Sequence, residues 1–155
     1  MSKVTIINAG YRSTNYWVVS AGPSRLLVDL GWPGSMGTLR ASLNRLDVPL
    51  REIRYGLATH YHIDHAGLAQ ELKQAGVPLL VREVQVPAIP LMKTWTKPQD
   101  RYVDITLPDN TVISFAESRA GLERIGLAGE ILQERGAVRV YPGHGPVWEI
   151  AAAFG

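Results

Sequence analysis

Thr59-His60-Tyr61-His62-Ile63-Asp64-His65-Ala66-Gly67 decides how this chain is read. It holds three of the four histidines together with an aspartate. The fourth histidine, His144, stands in Tyr141-Pro142-Gly143-His144-Gly145-Pro146. Imidazole is the commonest protein metal ligand, and a carboxylate among imidazoles suits zinc or a similar transition metal. The bland alternative is a polar loop of solvated histidines, or a core histidine with its hydrogen bonds satisfied. Such histidines would not be expected to gather so completely.

The spacing itself is chemical. On an extended segment residues two apart face the same way, so His60 and His62 can present their rings to one ion. Asp64 and His65 follow where the chain turns into a helix. They point differently, and either serve a second ion or complete the ligand set of the first. Gly143 and Gly145 flank His144 and let the backbone approach a metal closely. An open position on bound zinc lowers the pKa of water from about 15.7 to near 7 and supplies a nucleophile at neutral pH. The residues point to metal-assisted hydrolysis.

Working outward, Val4 to Asn8, Asn15 to Val19 and Arg25 to Asp29 are β-rich runs separated by turn signals, and read as a meander. Asp29 at the last strand's end either closes an Asx-type turn or takes part in the chemistry. Leu39, Leu43 and Leu46 predict a helix over 38–47, with Ser35 or Thr38 as cap and Pro49 as stop. Ile53 to Ala58 is a strand that delivers the chain to His60, Ala66 to Ala75 a helix, and Pro78 to Val81 the next strand. That is a β–α–β alternation. In Glu83 to Trp95, Pro87 and Pro90 interrupt an apolar stripe that is either core packing or a pocket wall, core packing being favoured. Val103 to Leu107 and Thr111 to Phe115 read as a hairpin, Ser118 to Ile125 and Leu127 to Arg135 as helices, and Val138 to Tyr141 as the strand before His144.

Composition bounds the rest. At 155 residues, 46% hydrophobic and 19% charged, the chain fits one globular domain over 1–155. With no cysteine, a metal must sit on nitrogen and oxygen. A net charge of +2 without a dense basic run gives no footprint for nucleic acid. There is no apolar leader and no stretch that could span a bilayer, so no membrane association and a cytoplasmic location are expected.

The motifs carry a resemblance. Thr59 to Gly67 resembles the T-H-x-H-x-D-H-x-G signature of the metallo-β-lactamase superfamily. Val28-Asp29-Leu30-Gly31 is similar to that family's early strand-end aspartate, and Tyr141 to Pro146 to its late G-H-G-P loop. The resemblance implies an α/β fold, the αβ/βα sandwich with a metal site at one edge. It implies hydrolysis of a small-molecule ester, thioester, lactone, β-lactam or phosphodiester. By the same resemblance His60 and His62 match ligands of a first zinc, and Asp64, His65 and His144 those of a second. Asp64 is also the catalytic residue that orients the attacking water, and Asp29 supports the cluster.

The chain departs from the family pattern between these motifs. A P-G-H-[ST] histidine and a bridging aspartate, often in G-D, are both missing: Gly129 to Gly136 runs directly into Ala137 to Tyr141. Ala128 to Leu132 resembles the strand before the missing histidine, and Gln133 to Gly136 the end of the helix before the last loop. An internal segment is therefore expected to be absent and the second sheet reduced. Nothing in the spacing makes Glu130 or Glu134 a replacement ligand. With five ligands left, one zinc ion on Asp64, His65 and His144, or on a mixture of the five, fits better than two. Reduced strands expose apolar surface and sheet edge, which favours a partner or a second copy, a homo-oligomer. The alternative to a hydrolase is a non-catalytic or vestigial metal-binding protein of the same fold. Trp32, Tyr61, Met92 and Trp95 are either pocket walls or core, and the substrate is not legible.

Overall fold

The apolar runs ahead of residue 30 pair as an antiparallel meander in the computed structural model, which describes residues 3–95, 112–113, 138–141 and 143–149. Its strands are β1 (Val4–Asn8), β2 (Trp17–Ala21) and β3 (Ser24–Val28). The turn between β2 and β3 uses Gly22 at φ 61°. Helix α1 (Met36–Arg45) carries the chain to β4 (Ile53–Leu57), which lies parallel to β3 with Val28 opposite Leu57. After α2 (Ile63–Ala66) and α3 (Ala69–Gln74), β5 (Leu79–Arg82) pairs parallel to β4. Val112–Ile113 (β6) continues the parallel pairing beside Val81 and Arg82, making a sheet ordered β1-β2-β3-β4-β5-β6. Arg139–Val140 (β7) and Trp148–Glu149 (β8) form a separate antiparallel pair.

Burial follows the pleat. Val18, Leu27, Gly56 and Leu79 are cross-strand neighbours in one row, all buried on the face that shares a core with Leu39 and Leu43 of α1 and with Leu68 and Leu72. On the opposite face the Tyr141 ring, next to β7, meets Trp17 edge-on with centroids 5.1 Å apart. The meander and the β–α–β alternation match the sequence reading, and β7 and β8 form a second sheet, two-stranded among the described residues. Helix α1 starts two residues earlier than expected. Ser35 sits at its cap position, but its hydroxyl bonds Trp32 and Tyr11 and not the helix.

One expectation is corrected. The predicted helix over 66–75 starts at Ile63 and is broken after Ala66. Tertiary hydrogen bonds replace the helical ladder at the break: Leu68 N–H donates to Gly31 O at 3.1 Å, and Leu30 N–H to His65 O at 2.6 Å. The Asp29–Gly31 loop thus grips the backbone that carries the motif. Leu68, Ala69 and Leu72 still face inward, and Gly76 follows the helix at φ 88°. Glu83–Trp95 is a run of 3₁₀ turns despite Pro87 and Pro90. Ile89 and Met92 are buried, so core packing is right for them, while Val84 and Leu91 are exposed. Val103 to Leu107 and the helices expected over 118–125 and 127–135 lie outside the described residues. No helix among the described residues is long and apolar enough to cross a membrane.

The motif's glycine has a steric reason. A Cβ on Gly67 would lie 2.2 Å from Ile63 O and 2.3 Å from Pro33 Cδ, so only hydrogen fits between the broken helix and the Pro33 ring. Gly67→Ala is expected to destabilise the fold by about 1–3 kcal/mol through overpacking. Gly37→Ala in α1, where an added Cβ meets nothing within 4 Å, is expected to stabilise it by about 0.4–1 kcal/mol. Urea-denaturation midpoints of the two variants, moving in opposite directions from the parent, check this.

Candidate metal centre

The site forms where parallel strands β3 and β4 end side by side, the edge at which open α/β sheets present ligand-binding loops. At the end of β3, Asp29 takes a left-handed conformation, φ 61°, which aspartate tolerates better than most residues. Its amide still donates to Leu57 O at 2.8 Å, closing the ladder while the side chain turns toward the cluster. Oδ1 accepts from both Thr59 N–H and the Thr59 hydroxyl, each at 2.8 Å. Oδ2 lies 2.8 Å from His65 Nδ1, an ion-pair contact not aligned for a linear hydrogen bond, with the two side chains 1% and 4% exposed. The Asp29 carboxylate thus reaches across to the end of β4 and to His65, and does not close an Asx-type turn within its own loop. Gln85, from the 3₁₀ run, donates to Thr59 O.

His62 precedes α2, and its carbonyl accepts the N–H groups of His65 and Ala66 at 3.1 and 2.8 Å. This first turn aims Asp64 and His65 at a common point, and His144 arrives there from the far end of the chain. His65 Nε2 and His144 Nε2 are 3.1 Å apart. Asp64 Oδ2 lies 3.4 Å from the first and 3.3 Å from the second. Among the described residues, this trio is the group whose ligand atoms could hold one metal ion. Gly143 has a steric reason that the sequence did not suggest. A Cβ there would lie 2.6 Å from His65 Cε1, so the glycine admits the His65 ring.

His144 Nδ1 donates to Ser13 O at 2.6 Å, and His65 Nδ1 faces Asp29. Both Nε2 atoms therefore turn lone pairs toward a carboxylate oxygen. With both Nε2 atoms unprotonated, three acceptors stand within 3.1–3.4 Å of one another, an arrangement that a cation or a proton among them relieves. The donor set also fits zinc in spacing. Tetrahedral ligands at about 2.0–2.1 Å from an ion stand about 3.3–3.4 Å apart. The protonation of His65 follows the same logic. Burial pulls its pKa down, but the close Asp29 carboxylate and the charge of Asp64 outweigh burial and raise it. A proton does there part of what a cation would do.

His60 and His62 are brought together but not into the trio. Their ring centroids are 4.5 Å apart, and that of His60 is 4.0 Å from that of His65. Tyr61 between them is buried while His62 is exposed, as alternation on an extended segment requires. Burial, then the neighbouring His65 and His62, lower the pKa of His60 and favour its neutral form. Of the candidate wall residues, Tyr61 and Met92 are buried in the core cluster.

The sequence reading missed the β1–β2 loop. Thr14, 2% exposed, donates from Oγ1 to Asp64 Oδ2 at 3.1 Å. The Tyr16 hydroxyl donates to Asp64 O at 3.3 Å. Asn15 donates to the last loop twice, N–H to Gly143 O at 2.6 Å and Nδ2 to Gly145 O at 2.8 Å. Small polar residues beside a turn carry no spacing signal, and nothing in the pattern could have singled these out.

Comparison with known proteins places the fold. The native FEZ-1 metallo-beta-lactamase of Legionella gormanii is similar in structure with a TM-score of 0.60 at 17% identity, over 92% of this chain and 47% of that one. A beta-lactamase from Chitinophaga pinensis gives 0.52 at 22% identity, over 57% and 34%. A metallo-beta-lactamase with a HARLDQ motif from Cronobacter sakazakii gives 0.50 at 21%, over 54% and 33%. The chain thus spans between a third and a half of the length of these solved structures, and at such identities the likeness is one of fold. The model of the metallo-beta-lactamase superfamily matches residues 9–147, from the end of β1 through the His144 loop. The chain belongs to the metallo-beta-lactamase superfamily.

Proposed function

We propose that the chain is a metal-dependent hydrolase built on one zinc ion held by Asp64, His65 and His144. The observation that supports this reading is the triangle of three acceptors, 3.1, 3.3 and 3.4 Å on its sides, whose histidines have both Nδ1 positions engaged elsewhere. Zinc in such a site supplies an acidified water as nucleophile and polarises a scissile carbonyl. The chain's own groups prepare it. Asp29 fixes the orientation of His65, and the Ser13 carbonyl that of His144, so each presents Nε2. Asp64 would place Oδ2 on the ion and, by the resemblance to the family, would also orient the attacking water. Neutral His60, beside His65, lines the approach without competing as a cation. The bonds that suit this chemistry are those of a small ester, thioester, lactone or β-lactam.

A second reading, a metal-binding protein without catalysis, has its own support. His60 and His62 have no third donor for a first ion among the described residues. Zinc titration of the full chain, followed by a panel of esters, thioesters, lactones and β-lactams, separates the two. The expected result is one zinc per chain, zinc-dependent turnover of at least one class, and loss of both in His65→Ala. Zinc bound without turnover establishes the second reading, and a chain that takes up no zinc ends both.

Proton competition gives a further expectation. Zinc needs His65 neutral, and the raised pKa keeps it protonated to a higher pH than a free histidine. Zinc affinity is therefore expected to fall as pH drops through and below that raised value, by about tenfold per unit for one displaced proton. Isothermal titration between pH 8 and pH 5 reads the slope, and a flat profile contradicts the assignment of His65.

A further inference from the structure

We infer that Ser13-Thr14-Asn15 of the β1–β2 loop is a positioning clasp. It contributes no ligand, but it docks the His144 loop onto α2 and fixes how Asp64 and His144 face each other. The inference deepens the proposed zinc site and rests on it for its metal-binding part alone.

Three consecutive residues hold both halves of the trio. The Ser13 carbonyl takes the Nδ1–H of His144 at 2.6 Å, and a carbonyl can only accept, so this contact selects the tautomer with its lone pair on Nε2. The Thr14 hydroxyl reaches Asp64 Oδ2, the same oxygen that faces both histidines, at 3.1 Å. Asn15 grips the carbonyls on either side of His144, those of Gly143 and Gly145, at 2.6 and 2.8 Å. The clasp is itself braced. Asn8 Nδ2 donates to Asn15 Oδ1 at 2.8 Å, Asn8 Oδ1 accepts from Gly10 N–H at 2.7 Å, and Ala9 N–H donates to Tyr16 O at 2.7 Å. Asn15 thus spends its amide oxygen on β1 and its amide nitrogen on the last loop. His144 is 54% exposed, so burial does little to fix its ring, and these hydrogen bonds supply the orientation.

Two variants, each close in shape to the parent residue, test the clasp. Thr14→Val removes the hydroxyl, and Asn15→Asp keeps the acceptor while removing the donor to Gly145. Each is expected to weaken zinc binding about 10–100-fold in competition with a chromophoric chelator. Thr14→Ser is expected to stay within about threefold of the parent. The second measurement needs no metal. Long-range ¹H–¹⁵N spectra of the metal-free chain at pH 8 are expected to show His144 as the Nδ1–H tautomer, giving way to a mixture in Asn15→Asp. Folded variants with parental zinc affinity and an unchanged His144 tautomer overturn the clasp. If the parent takes up no zinc, the hydrolase reading fails, and the tautomer alone decides for or against the clasp.

Discussion

The contact between Asp29 and His65 is the constraint on which the rest of the site depends. Both side chains are almost fully buried, 2.8 Å apart, at the meeting point of β3 and α2. A buried carboxylate without partners is costly, and removing one member of such a pair costs on the order of 3–5 kcal/mol. Asp29 meets that cost by filling both oxygens, one with Thr59 and the other with His65. The consequence is geometric. β3 and β4 must end at the same level, Asp29 must turn left-handed to aim inward, and α2 must begin within reach. The parallel register that sets Val28 beside Leu57 satisfies the first condition, and the break at Gly67 satisfies the last.

That contact organises the local half of the trio, and the distant half needs another device. Asp64 and His65 are neighbours in sequence, whereas His144 must be brought back from 79 residues beyond His65. Closing a loop of that size costs entropy that grows only slowly with length, so a few well-made hydrogen bonds suffice to hold the end in place. The bonds from Ser13 and Asn15 to residues 143–145 are of this kind, and the Trp17–Tyr141 ring contact adds apolar surface close by. The β1–β2 loop thus belongs to the centre although its sequence says nothing about metals.

How much was legible follows from how local each cause is. The meander, α1 and the parallel strands were readable because alternation, leucine spacing and turn residues act within a few positions. The density of histidines near residue 60 made the candidate ligands conspicuous, and their order along the chain identified the family. The helix break was not readable. Ala66 to Ala75 has good helical pattern throughout, and what interrupts it is Gly31 and Leu30 taking over backbone partners from another loop. The steric role of Gly143 was unreadable for the same reason, since the group it admits is the His65 ring, placed by a contact 114 positions earlier at Asp29. Thr14 and Asn15 left no trace at all, because a hydroxyl or amide beside a turn is ordinary until its distant partner is known.

These supports are distributed unevenly, and that bears on how many ions the centre can organise. His65 is braced by Asp29, Asp64 by Thr14 and Tyr16, and His144 by Ser13 and Asn15. Each member of the trio therefore reaches its place before any ion binds, which lowers the ordering cost of binding. His60 has a 3.2 Å contact to the Thr59 hydroxyl, a group whose proton is already committed to Asp29, so the pair must draw on an imidazole proton. That contact ties His60 to its own neighbour and not to a distant brace. An ion held by His60 and His62 alone would leave more of its coordination to solvent than zinc sites with three protein ligands do. Braces of this kind reach Asp64, His65 and His144, and they support the proposal of a single ion at that trio.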